Sequence, residues 1–568
     1  MNIELNRLDD DLQLLTRHKQ LWAQTDVAAR LAILARIRDA ADRVAEDWAQ
    51  TAAGKKGLDA NAPQAGEEWL TGPYAVITYC NALIDTLSRV AGNRHLEGLP
   101  MRELPIGQLA VRVVPHSLWD RLLLSGVRAE VWMEPGVTRA NLAQHTAAAY
   151  AHPTSGKVAL VLAAGNIAAI APLDCLHKLF VENEVVLLKL SPVNDYLAAF
   201  LNAALAALVE TGFLRIVGGD SAVGQYLANH PLVETIHITG SAAALDAIVW
   251  GTGAEAAANR RAGTPKNKRP ITSELGGVSP TIVVPGPWSA ADIAFQAEHV
   301  ATQKLHNAGF NCVACQVLVL SADWPHKTAF VRALEAALAT SAARPLYYPG
   351  AEARLTEFQS GLTGQTAALP ESANQCRIFP FEAGGSPIAE TFEVFAPALA
   401  VTELPSSDPE AFLIAAIAYA NRDLAGSLGA NILIHPRTLR RIGQRRFDGI
   451  VADLRYGAIA INAWTGLAFL LPQARWGAFP GPTLDSVQSG IGAVHNAMLF
   501  DRAERTVVQA PFTPFPRSLL RLSFTLLPRP PWFIANRRAN VLGRLLTRFQ
   551  ARPSLAKLPA IFANALRG

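Results

Sequence analysis

Few cysteines, few charged side chains and no long apolar run set the first limits on this sequence of 568 residues. Five cysteines in so long a chain exclude a scaffold held by disulfides and favour a reducing compartment. No uninterrupted apolar stretch approaches the roughly 18 residues of a membrane-spanning helix. Charged residues make up only 17% of the chain and hydrophobic residues 50%, which excludes a disordered protein.

The amino-terminal residues, MNIELNRLDDDLQ, are polar and acidic and lack the apolar core of a secretory signal. Together with the low cysteine content, this predicts a cytoplasmic protein. Glycine and proline, with 40 and 36 residues, are too close to average abundance for a collagen-like or low-complexity chain. At roughly 150 residues per domain, the length suggests three to four domains or lobes.

Acidic residues are missing from the segment 506–568, which nevertheless holds ten basic residues. The rest of the chain holds 41 of the 51 basic residues and all 47 acidic residues, a net charge of −6. A basic segment predicts an anionic partner, and its Leu, Phe and Trp residues favour a membrane surface over nucleic acid. The alternative is an extension that folds against the body of the protein, with its arginines in solvent.

Short β-type runs alternate with helical segments along most of the remaining chain. The runs lie at 158–162, 185–189, 213–217, 233–238, 281–284, 316–320, 398–404, 430–434 and 457–461. This alternation predicts an α/β fold with parallel sheets covered by helices, in two lobes with a boundary near residue 270. An amphipathic helix is expected over 26–50, with Asp26 as its N-cap. Residues 251–270 are predicted to form a loop, and residues 340–390 are predicted to form a long irregular segment.

Cys312 is the first candidate for a reactive group. It lies in the segment HNAGFNCVACQVLVL (306–320), in a loop of small residues directly before a predicted strand. Loops at the ends of such elements are where side chains can meet a substrate. A thiol reacts as a thiolate, so its surroundings must lower its pKa or a base must accept its proton. The alternative is a buried cysteine that behaves as a small apolar residue.

Two further polar residues stand beside predicted turns. Glu274 precedes the glycine pair of ITSELGGVSPTIVV (271–284), where a carboxylate can face a cleft and act as a general base. Asn166 follows the strand in VALVLAAGNIAAIAP (158–172), where its amide could donate to a developing oxyanion. The alternatives are a solvated carboxylate for Glu274 and a turn or helix-cap asparagine for Asn166.

The segment ETIHITGSAAALDAI (234–248) has the order strand, TGS and helix. Gly240 allows a ligand to approach the backbone, and the helix amino terminus that follows favours phosphate. The alternative is simple N-capping by Ser241. Cys312 and Cys315 form a CxxC motif. A zinc site usually needs a second such pair, and a dithiol site usually has a helix directly after the motif, but the sequence has neither. We therefore predict no metal site.

Taken in order, these segments resemble the aldehyde dehydrogenase superfamily over roughly residues 20–500. The matching segments are AAGNIA, LLKLSP, ITGS, SELGG, NAGFNC and FEVFAP. The resemblance implies a nucleophile, Cys312, a general base, Glu274, and an oxyanion-binding amide, Asn166. It implies a Rossmann-like cofactor lobe, an α/β catalytic lobe and a small oligomerisation arm, with Asn462 on the substrate side. It also implies that the cofactor is held by Lys189, Gly240, Ser241, Glu393 and Phe395.

Three residues depart from the family pattern. Phe310 replaces the glutamine of the cysteine loop, and Ala396 replaces the glycine of the E-x-F-G-P motif. Pro192 stands where the family often has a glutamate that binds the ribose 2′-hydroxyl. Without that carboxylate a 2′-phosphate is no longer repelled, so either NAD or NADP is the expected cofactor.

The resemblance implies NAD(P)-dependent oxidation of an aldehyde to a carboxylic acid through a cysteine thiohemiacetal and a thioester. Glu274 favours hydrolysis of the thioester over transfer to coenzyme A, since relatives that use coenzyme A generally lack this residue. The alternatives are an acyl-CoA reductase on the same fold and a catalytically silent scaffold that docks on membranes. The apolar segment 462–476 suggests a longer aliphatic or aromatic aldehyde, unless it belongs to the core or to a subunit interface.

The implied domain division is as follows. Residues 1–270 form the amino-terminal helices and the cofactor-binding domain, with arm strands near 127–150. The catalytic domain covers 271–480, the oligomerisation arm 481–505, and the basic apolar extension 506–568. The expected partners are a small-molecule aldehyde, further copies of the chain in a homo-oligomer and, through 506–568, the inner face of a membrane, but no nucleic acid.

Overall fold

Two β-sheets take up the strands of this computed structural model, which describes residues 2–152, 155–363, 376–521 and 523–568, with side chains from residue 5 onward. The strands are β1 Met101–Glu103, β2 Leu109–Val114, β3 Arg128–Met133, β4 Val158–Leu162, β5 Val185–Lys189, β6 Leu214–Val217, β7 Thr235–Gly240, β8 Ile271–Leu275, β9 Ser279–Val283, β10 Cys315–Ser321, β11 Arg377–Pro380, β12 Ala398–Leu404, β13 Gly429–Leu433, β14 Ala458–Ile461, β15 Gly490–Ile491 and β16 Ala503–Gln509.

Helices cover the faces of both sheets. They are α1 Asn2–Ala23, α2 Val27–Lys55, α3 Gly66–Trp69, α4 Ala75–Ser88, α5 Leu118–Leu123, α6 Ala148–Ala151, α7 Ile170–Phe180, α8 Leu197–Ala204, α9 Ala206–Val209, α10 Ser221–Asn229, α11 Ala242–Trp250, α12 Gly253–Ala262, α13 Ala290–Leu305, α14 Lys327–Thr340, α15 Ala351–Thr363, α16 Pro387–Glu390, α17 Pro409–Asp423, α18 Pro436–Ile442, α19 Gln444–Ala452, α20 Thr465–Leu470, α21 Ala539–Ala551 and α22 Leu558–Ala565. As predicted, Asp26 caps α2 by accepting a hydrogen bond from the backbone of Ala29.

The smaller sheet has six strands in the order β15-β8-β7-β4-β5-β6. Among these described strands, the five from β8 to β6 are parallel, and the edge strand β15 runs antiparallel to β8. The predicted α/β fold is therefore confirmed for this lobe, and the runs at 158–162 and 185–189 coincide with β4 and β5. Because all parallel strands end at one edge, the residues after β4, β7 and β8 come together there.

The larger sheet has ten strands in the order β1-β2-β3-β16-β14-β13-β9-β10-β12-β11. The seven strands from β16 to β11 are parallel, whereas β1, β2 and β3 extend the sheet in antiparallel fashion. Strands β9, β10 and β13 are buried along their whole length, as expected for parallel strands covered on both faces.

The chain passes from the smaller sheet to the larger one a few residues after the predicted lobe boundary near residue 270. A boundary at residue 270 would separate β8 from its neighbour β7, yet Thr239 and Glu274 are register partners in this parallel pair. The chain leaves the smaller sheet only after Leu275 and enters the larger one at Ser279.

The two segments expected to form an oligomerisation arm are integrated into the sheets of this chain. Strand β3 pairs with β16, and β15 pairs with β8. Assembly of several copies stays a prediction.

Two regions expected to lack regular structure contain helices. Residues 253–262 form α12, because the alanine-rich sequence GAEAAANRRA has high helix propensity despite its glycine-rich flanks. The expected irregular excursion at 340–390 contains α15, β11 and α16, while its residues 364–375 lie outside the described part of the chain. Strong helix formers in AEARLTEFQSGLT explain α15.

The extension 506–568 folds against the body of the protein, but its arginines are not simply solvated. Five of its ten basic residues form ion pairs with acidic residues of the body. The partners are Arg517 and Arg521 with Asp292, Arg529 with Glu298, Arg544 with Glu46, and Arg548 with Asp42. The extension therefore neutralises acidic groups of its own chain, which accounts for part of the uneven charge distribution.

Helix α21 of the extension packs closely on the turn before α4. A Cβ atom on Gly66 would lie 2.3 Å from the backbone carbon of Ala539, so only glycine permits this approach. Gly543 is packed in the same way against Trp69. Among the described residues, no helix is both long and apolar enough to cross a membrane.

Candidate active site

The loop that carries Cys312 joins α13 to β10 and has an unusual backbone. Three consecutive residues, Asn307, Ala308 and Gly309, have positive φ angles of 55°, 56° and 82°. A left-handed conformation is costly for alanine and persists only where the surroundings enforce it. A Cβ on Gly309 would come within 3.0 Å of the backbone of Ala396.

Cys312 lines a cleft of about 650 Å³ between the two sheets. Its Sγ atom lies 3.2 Å from Oε1 of Glu274, which stands near the end of β8. The other carboxyl oxygen of Glu274 accepts a hydrogen bond of 2.9 Å from the indole nitrogen of Trp476. The thiol and the carboxyl group thus form a contact pair in which the thiol donates.

The charge state of this pair follows from its burial. Burial raises the pKa of Glu274 to about 7, and the negative charge of Asp174 adds to this effect. Burial and the adjacent carboxyl group raise the pKa of the Cys312 thiol well above its usual value. A carboxyl group with a pKa near neutrality can accept a proton and release it again at physiological pH, as a general base must.

Asn166 lies in the loop after β4 and also lines the cleft. Its amide nitrogen donates to the backbone oxygen of Phe310 at 3.1 Å, and so ties this loop to the cysteine loop. An amide nitrogen has two N–H groups, which leaves one for an oxyanion.

A buried ionic cluster fixes the positions of Asn166 and Asn307. The Nζ atom of Lys56 donates to Glu68 at 2.7 Å, to the side chain of Asn307 at 2.9 Å and to the backbone oxygen of Asn166 at 3.2 Å. Glu67 accepts from the backbone of Asn307 at 2.7 Å and forms an ion pair of 2.6 Å with Arg344.

All four charged side chains of this cluster, Lys56, Glu67, Glu68 and Arg344, are more than nine-tenths buried. We infer that the cluster holds the left-handed loop in place, because its hydrogen bonds end on Asn307. Sequence analysis missed it, since its members are up to 288 positions apart and none stands in a recognisable motif.

A second buried polar group lies behind Glu274. Asp174 accepts a hydrogen bond of 2.9 Å from Thr239, and its other oxygen lies 3.3 Å from His495. Although burial opposes ionisation, His237 and His495 lower the pKa of Asp174 below its usual value. Asp174 is therefore charged beside Glu274, and sequence analysis did not identify it.

Two of the predicted cofactor residues, Gly240 and Ser241, line the same cleft as Cys312. Gly240 and Ser241 are exposed at the end of β7, and the Ser241 hydroxyl accepts from Ala244 as the N-cap of α11. In the part of the chain that the structure describes, no atom of another segment lies near a Cβ built on Gly240, so a ligand has room there. The amino terminus of α11 is thus open to an anion such as a pyrophosphate.

Glu393 and Phe395 line the same cleft. A Cβ atom on Gly276 would lie 1.9 Å from the Glu393 carboxyl group, so the glycine pair admits this side chain. Burial raises the pKa of Glu393 to about 7. Arg354 donates to the backbone oxygens of Glu393 and Val394, which fixes the irregular segment that bears Phe395.

Among the predicted cofactor residues, Lys189 is the one that does not line the described cleft. It ends β5 and pairs in register with Leu162, at the same edge of the six-stranded sheet. Burial lowers the pKa of its ammonium group, while Asp220 opposes that effect. Its position at this edge keeps it as a candidate for the adenosine end of a dinucleotide.

Three other residues have structural roles. Asn462, expected on the substrate side, instead exchanges hydrogen bonds of 2.8 and 3.0 Å with the backbone of Ile434. These two hydrogen bonds hold two neighbouring parallel strands together at their ends. Phe310, which replaces the glutamine of the family pattern, is fully buried, and its ring centroid lies 5.1 Å from that of Tyr347. The aromatic side chain is therefore accommodated by packing against other aromatic residues. Cys315 is buried at the start of β10.

Residues 136–345 match the model of the aldehyde dehydrogenase family. This part of the chain is similar to the aldehyde dehydrogenase family. The predicted resemblance is thereby confirmed, and the matched residues of the domain include Asn166, Glu274 and Cys312.

Curated relatives of the aldehyde dehydrogenase domain share part of their length with this chain. Coniferyl aldehyde dehydrogenase from a Pseudomonas species is 30% identical over 239 residues, 42% of this chain and 44% of that protein. Aldehyde dehydrogenase LUC3 from a Fusarium species is 28% identical over 162 residues, 28% of this chain and 32% of that protein. The matches thus span less than half the length of these relatives.

Solved structures share the aldehyde dehydrogenase fold over most of the chain. An NAD-dependent aldehyde dehydrogenase from Sinorhizobium meliloti has a TM-score of 0.56 at 17% identity and covers 90% of this chain and 88% of its own. Aldehyde dehydrogenase C from Pseudomonas syringae, in a complex with NAD+ and octanal, has a TM-score of 0.58 at 19% identity and covers 90% of both chains. These similarities confirm the predicted fold class.

Proposed function

We propose that this protein oxidises an aldehyde to a carboxylic acid with NAD or NADP as the acceptor. The observation that carries this proposal is the 3.2 Å contact between Cys312 Sγ and Glu274 Oε1, at a cleft that also contains Asn166. A nucleophile, a base and an oxyanion donor are the three groups that acyl chemistry on a thiol requires. The solved neighbour with bound NAD+ and octanal supports the same reaction class.

The contact pair accounts for the first step. As Sγ attacks the carbonyl carbon, the thiol proton passes to Oε1 of Glu274, so the thiolate forms only as it reacts. The negative charge that develops on the substrate oxygen is stabilised by the free N–H of Asn166. A donor of this kind contributes on the order of 3 kcal/mol to transition-state stabilisation.

The residues around Gly240 fit a dinucleotide. Gly240, Ser241 and the amino terminus of α11 would bind the pyrophosphate, and Glu393 with Phe395 would hold the nicotinamide riboside. When bound, the nicotinamide supplies the acceptor for the hydride that leaves the substrate carbon. Pro192 in place of a carboxylate leaves room for a 2′-phosphate, so both NAD and NADP are acceptors to be tested.

Glu274 acts again in the last step. After the thiol proton has passed from Glu274 to solvent, the carboxylate takes a proton from water, whose oxygen attacks the thioester carbon, and this proton returns to Sγ as the carboxylic acid leaves. Because burial holds the pKa of this carboxyl group near 7, it can accept and return protons without large cost.

The test is a panel of aldehydes offered with NAD and with NADP, followed by the absorbance of the reduced nicotinamide. We expect the reduced cofactor and the acid to form in equal amounts, without coenzyme A. Cys312→Ser should abolish turnover, whereas Cys315→Ser should retain most of it. Absence of turnover with every aldehyde and both cofactors would refute the proposal.

We also propose that the protein is cytoplasmic and contacts the surface of a membrane through the extension. Leu520 and Phe524 in the extension are 86% and 85% exposed, which suits insertion at a lipid interface. Sedimentation with vesicles that contain phosphatidylglycerol tests it. The double variant Leu520→Ser, Phe524→Ser should sediment less, while Leu21→Ser, at a 57% exposed position on α1, should not change. Wild-type protein that stays in the supernatant would contradict membrane contact.

We further propose that the protein assembles into a homo-oligomer, which the family resemblance alone supports. Light scattering in solution should give a mass that is a multiple of 60.8 kDa. A single-chain mass at all concentrations would exclude assembly.

A further inference from the structure

A pocket of about 230 Å³ lies on the ten-stranded sheet, where its antiparallel strands meet its parallel ones. Strand β2 contributes Arg112 to the lining, β3 contributes Arg128 and Glu130, and β16 contributes Val507 and Gln509. Arg112, Glu130 and Val507 are register partners in one row across the three strands. Because residues two apart in a strand share a face, Arg128 and Gln509 continue the same surface. We call this space the arginine pocket.

The arginine pocket is separate from the catalytic cleft. It lies beside Ile461 and Gln509, the last residues of the neighbouring parallel strands β14 and β16, and thus at their carboxyl edge. Cys312 precedes β10 and therefore lies at the opposite, amino edge of the parallel strands. Among the described residues, the two linings have no member in common. The carboxyl edge of parallel strands is a common place for a ligand in α/β sheets.

Two carboxylates line the arginine pocket, and donors of the protein engage both of them. Arg102 donates to the two carboxyl oxygens of Glu130 at 3.0 and 2.8 Å, and to one oxygen of Asp448 at 2.5 Å. The other oxygen of Asp448 accepts from the amide of Gln444 at 2.8 Å. All four carboxyl oxygens thus have a donor within this network.

The other two arginines of the lining are unpaired. In the ranges that the structure describes, the guanidinium groups of Arg112 and Arg128 make no hydrogen bond and no ion pair. The Nε atom of Arg112 is buried, and a buried donor without an acceptor costs free energy that an anion in the pocket would recover. Three arginines against two carboxylates give the lining a net charge of +1.

Helix α19 adds to the positive potential of the arginine pocket. Its first residue, Gln444, lines the pocket, and the residue before it, Gly443, has no side chain that could cap the helix. The first turn of α19 contains no acidic residue. A helix amino terminus carries a partial positive charge and free N–H groups, both of which favour an anion.

From this arrangement we propose that the arginine pocket binds a phosphate group, either as inorganic phosphate or as the ester of a small molecule. Each guanidinium presents a planar fork of donors that matches two phosphate oxygens, and Arg112 and Arg128 come from neighbouring strands. Two forks and a helix terminus offer more donors than the two oxygens of a carboxylate engage, which favours phosphate. The pocket is too small for a dinucleotide, and the proposal does not depend on oxidation of aldehydes.

The test is calorimetry with inorganic phosphate and with glycerol 3-phosphate, at constant ionic strength and with saturating NAD. NAD would occupy the site near Gly240, so phosphate binding in its presence belongs to another site. We expect the wild type to bind phosphate, and Arg112→Met and Arg128→Glu to bind it at least tenfold more weakly. Arg332→Met removes an exposed arginine of α14 outside the lining and should bind as the wild type does. The probe with the higher affinity shows whether the pocket prefers the free ion or the ester.

Thermal unfolding keeps the test independent of damage to the fold. Arg128 is exposed, so Arg128→Glu should unfold at the wild-type midpoint in a buffer without phosphate. Phosphate at about 100 times its Kd should raise the midpoint of the wild type and of Arg332→Met by about 2 °C, and should not raise that of Arg128→Glu. If phosphate binds equally to all variants, binds to none, or is displaced by NAD, the inference is wrong.

Discussion

The indole nitrogen of Trp476 donates a hydrogen bond of 2.9 Å to Glu274, on the carboxyl oxygen that does not face Cys312. The two partners are 202 positions apart in the sequence. One oxygen of the carboxyl group is thus fixed by a donor that cannot titrate, and the other is left to exchange protons with the thiol. The catalytic pair is therefore oriented before any substrate binds.

The pH dependence of turnover should reflect the carboxyl group of Glu274. Burial raises its pKa to about 7, and only the ionised form can take a proton. The rate should therefore be low below this pKa and rise as pH increases through about 7. Trp476→Phe removes a hydrogen bond that favours the ionised form, so the midpoint of the pH–rate profile should move upward by up to about one pH unit. An unchanged midpoint would mean that another group controls the rate.

Asp174→Asn should move the same midpoint in the opposite direction. The negative charge of Asp174 raises the pKa of Glu274, and its removal makes ionisation of Glu274 easier. His495 and Cys312 also face this carboxyl group and remain in the variant. The measurement is kcat against pH beside Trp476→Phe, and a shift of both variants in one direction would contradict the assignment.

Glu274→Gln should slow both halves of the reaction. The variant keeps a polar side chain of the same size but cannot accept a proton, so attack by the Cys312 thiol and release of the acid should each slow by about 100-fold or more. Rapid mixing should show slow formation of reduced cofactor without the fast first phase of the wild type. If steady turnover is unchanged, Glu274 is not the base.

Lys56→Met should damage both stability and turnover. It leaves Glu68 buried without its cation, which costs about 3–5 kcal/mol, and it releases Asn307 and Asn166 from their shared donor. Denaturant unfolding and kcat are the measurements. Arg36→Met, which breaks an ion pair with more than half of each side chain exposed, should cost under about 1 kcal/mol. Equal losses in the two variants would show that the buried cluster has no special role.

Gly66→Ala should weaken the attachment of the extension. The added Cβ would lie 2.3 Å from the backbone carbon of Ala539, so α21 has to move away from the turn before α4. Limited proteolysis should then cut the extension faster, and the midpoint of thermal unfolding should fall. Gly54→Ala is the matched control, because its Cβ meets no atom within 4 Å and the residue lies inside α2. It should stabilise the protein by about 0.5–1 kcal/mol.

Much of the fold could be predicted from the sequence because strands and helix caps are encoded within a few neighbouring residues. The apolar runs at 158–162, 185–189 and 398–404 coincide with strands, and Asp26 caps its helix, since hydrophobic period and capping act within a few residues. The same reasoning went wrong at 253–262, where glycine-rich flanks suggested a loop although the alanine-rich interior is helical.

The sequence by itself determined the resemblance to the aldehyde dehydrogenase family, the alternation of strands and helices, and the candidates Cys312, Glu274 and Asn166. Each of these candidates stands in a short motif with recognisable neighbours. Only the tertiary structure decided that Lys56 reaches Asn307 and that the extension closes a cavity against the body of the protein. The physical reason is separation along the chain. Burial, charge compensation and cavity shape depend on residues hundreds of positions apart, and no local pattern records which of them meet.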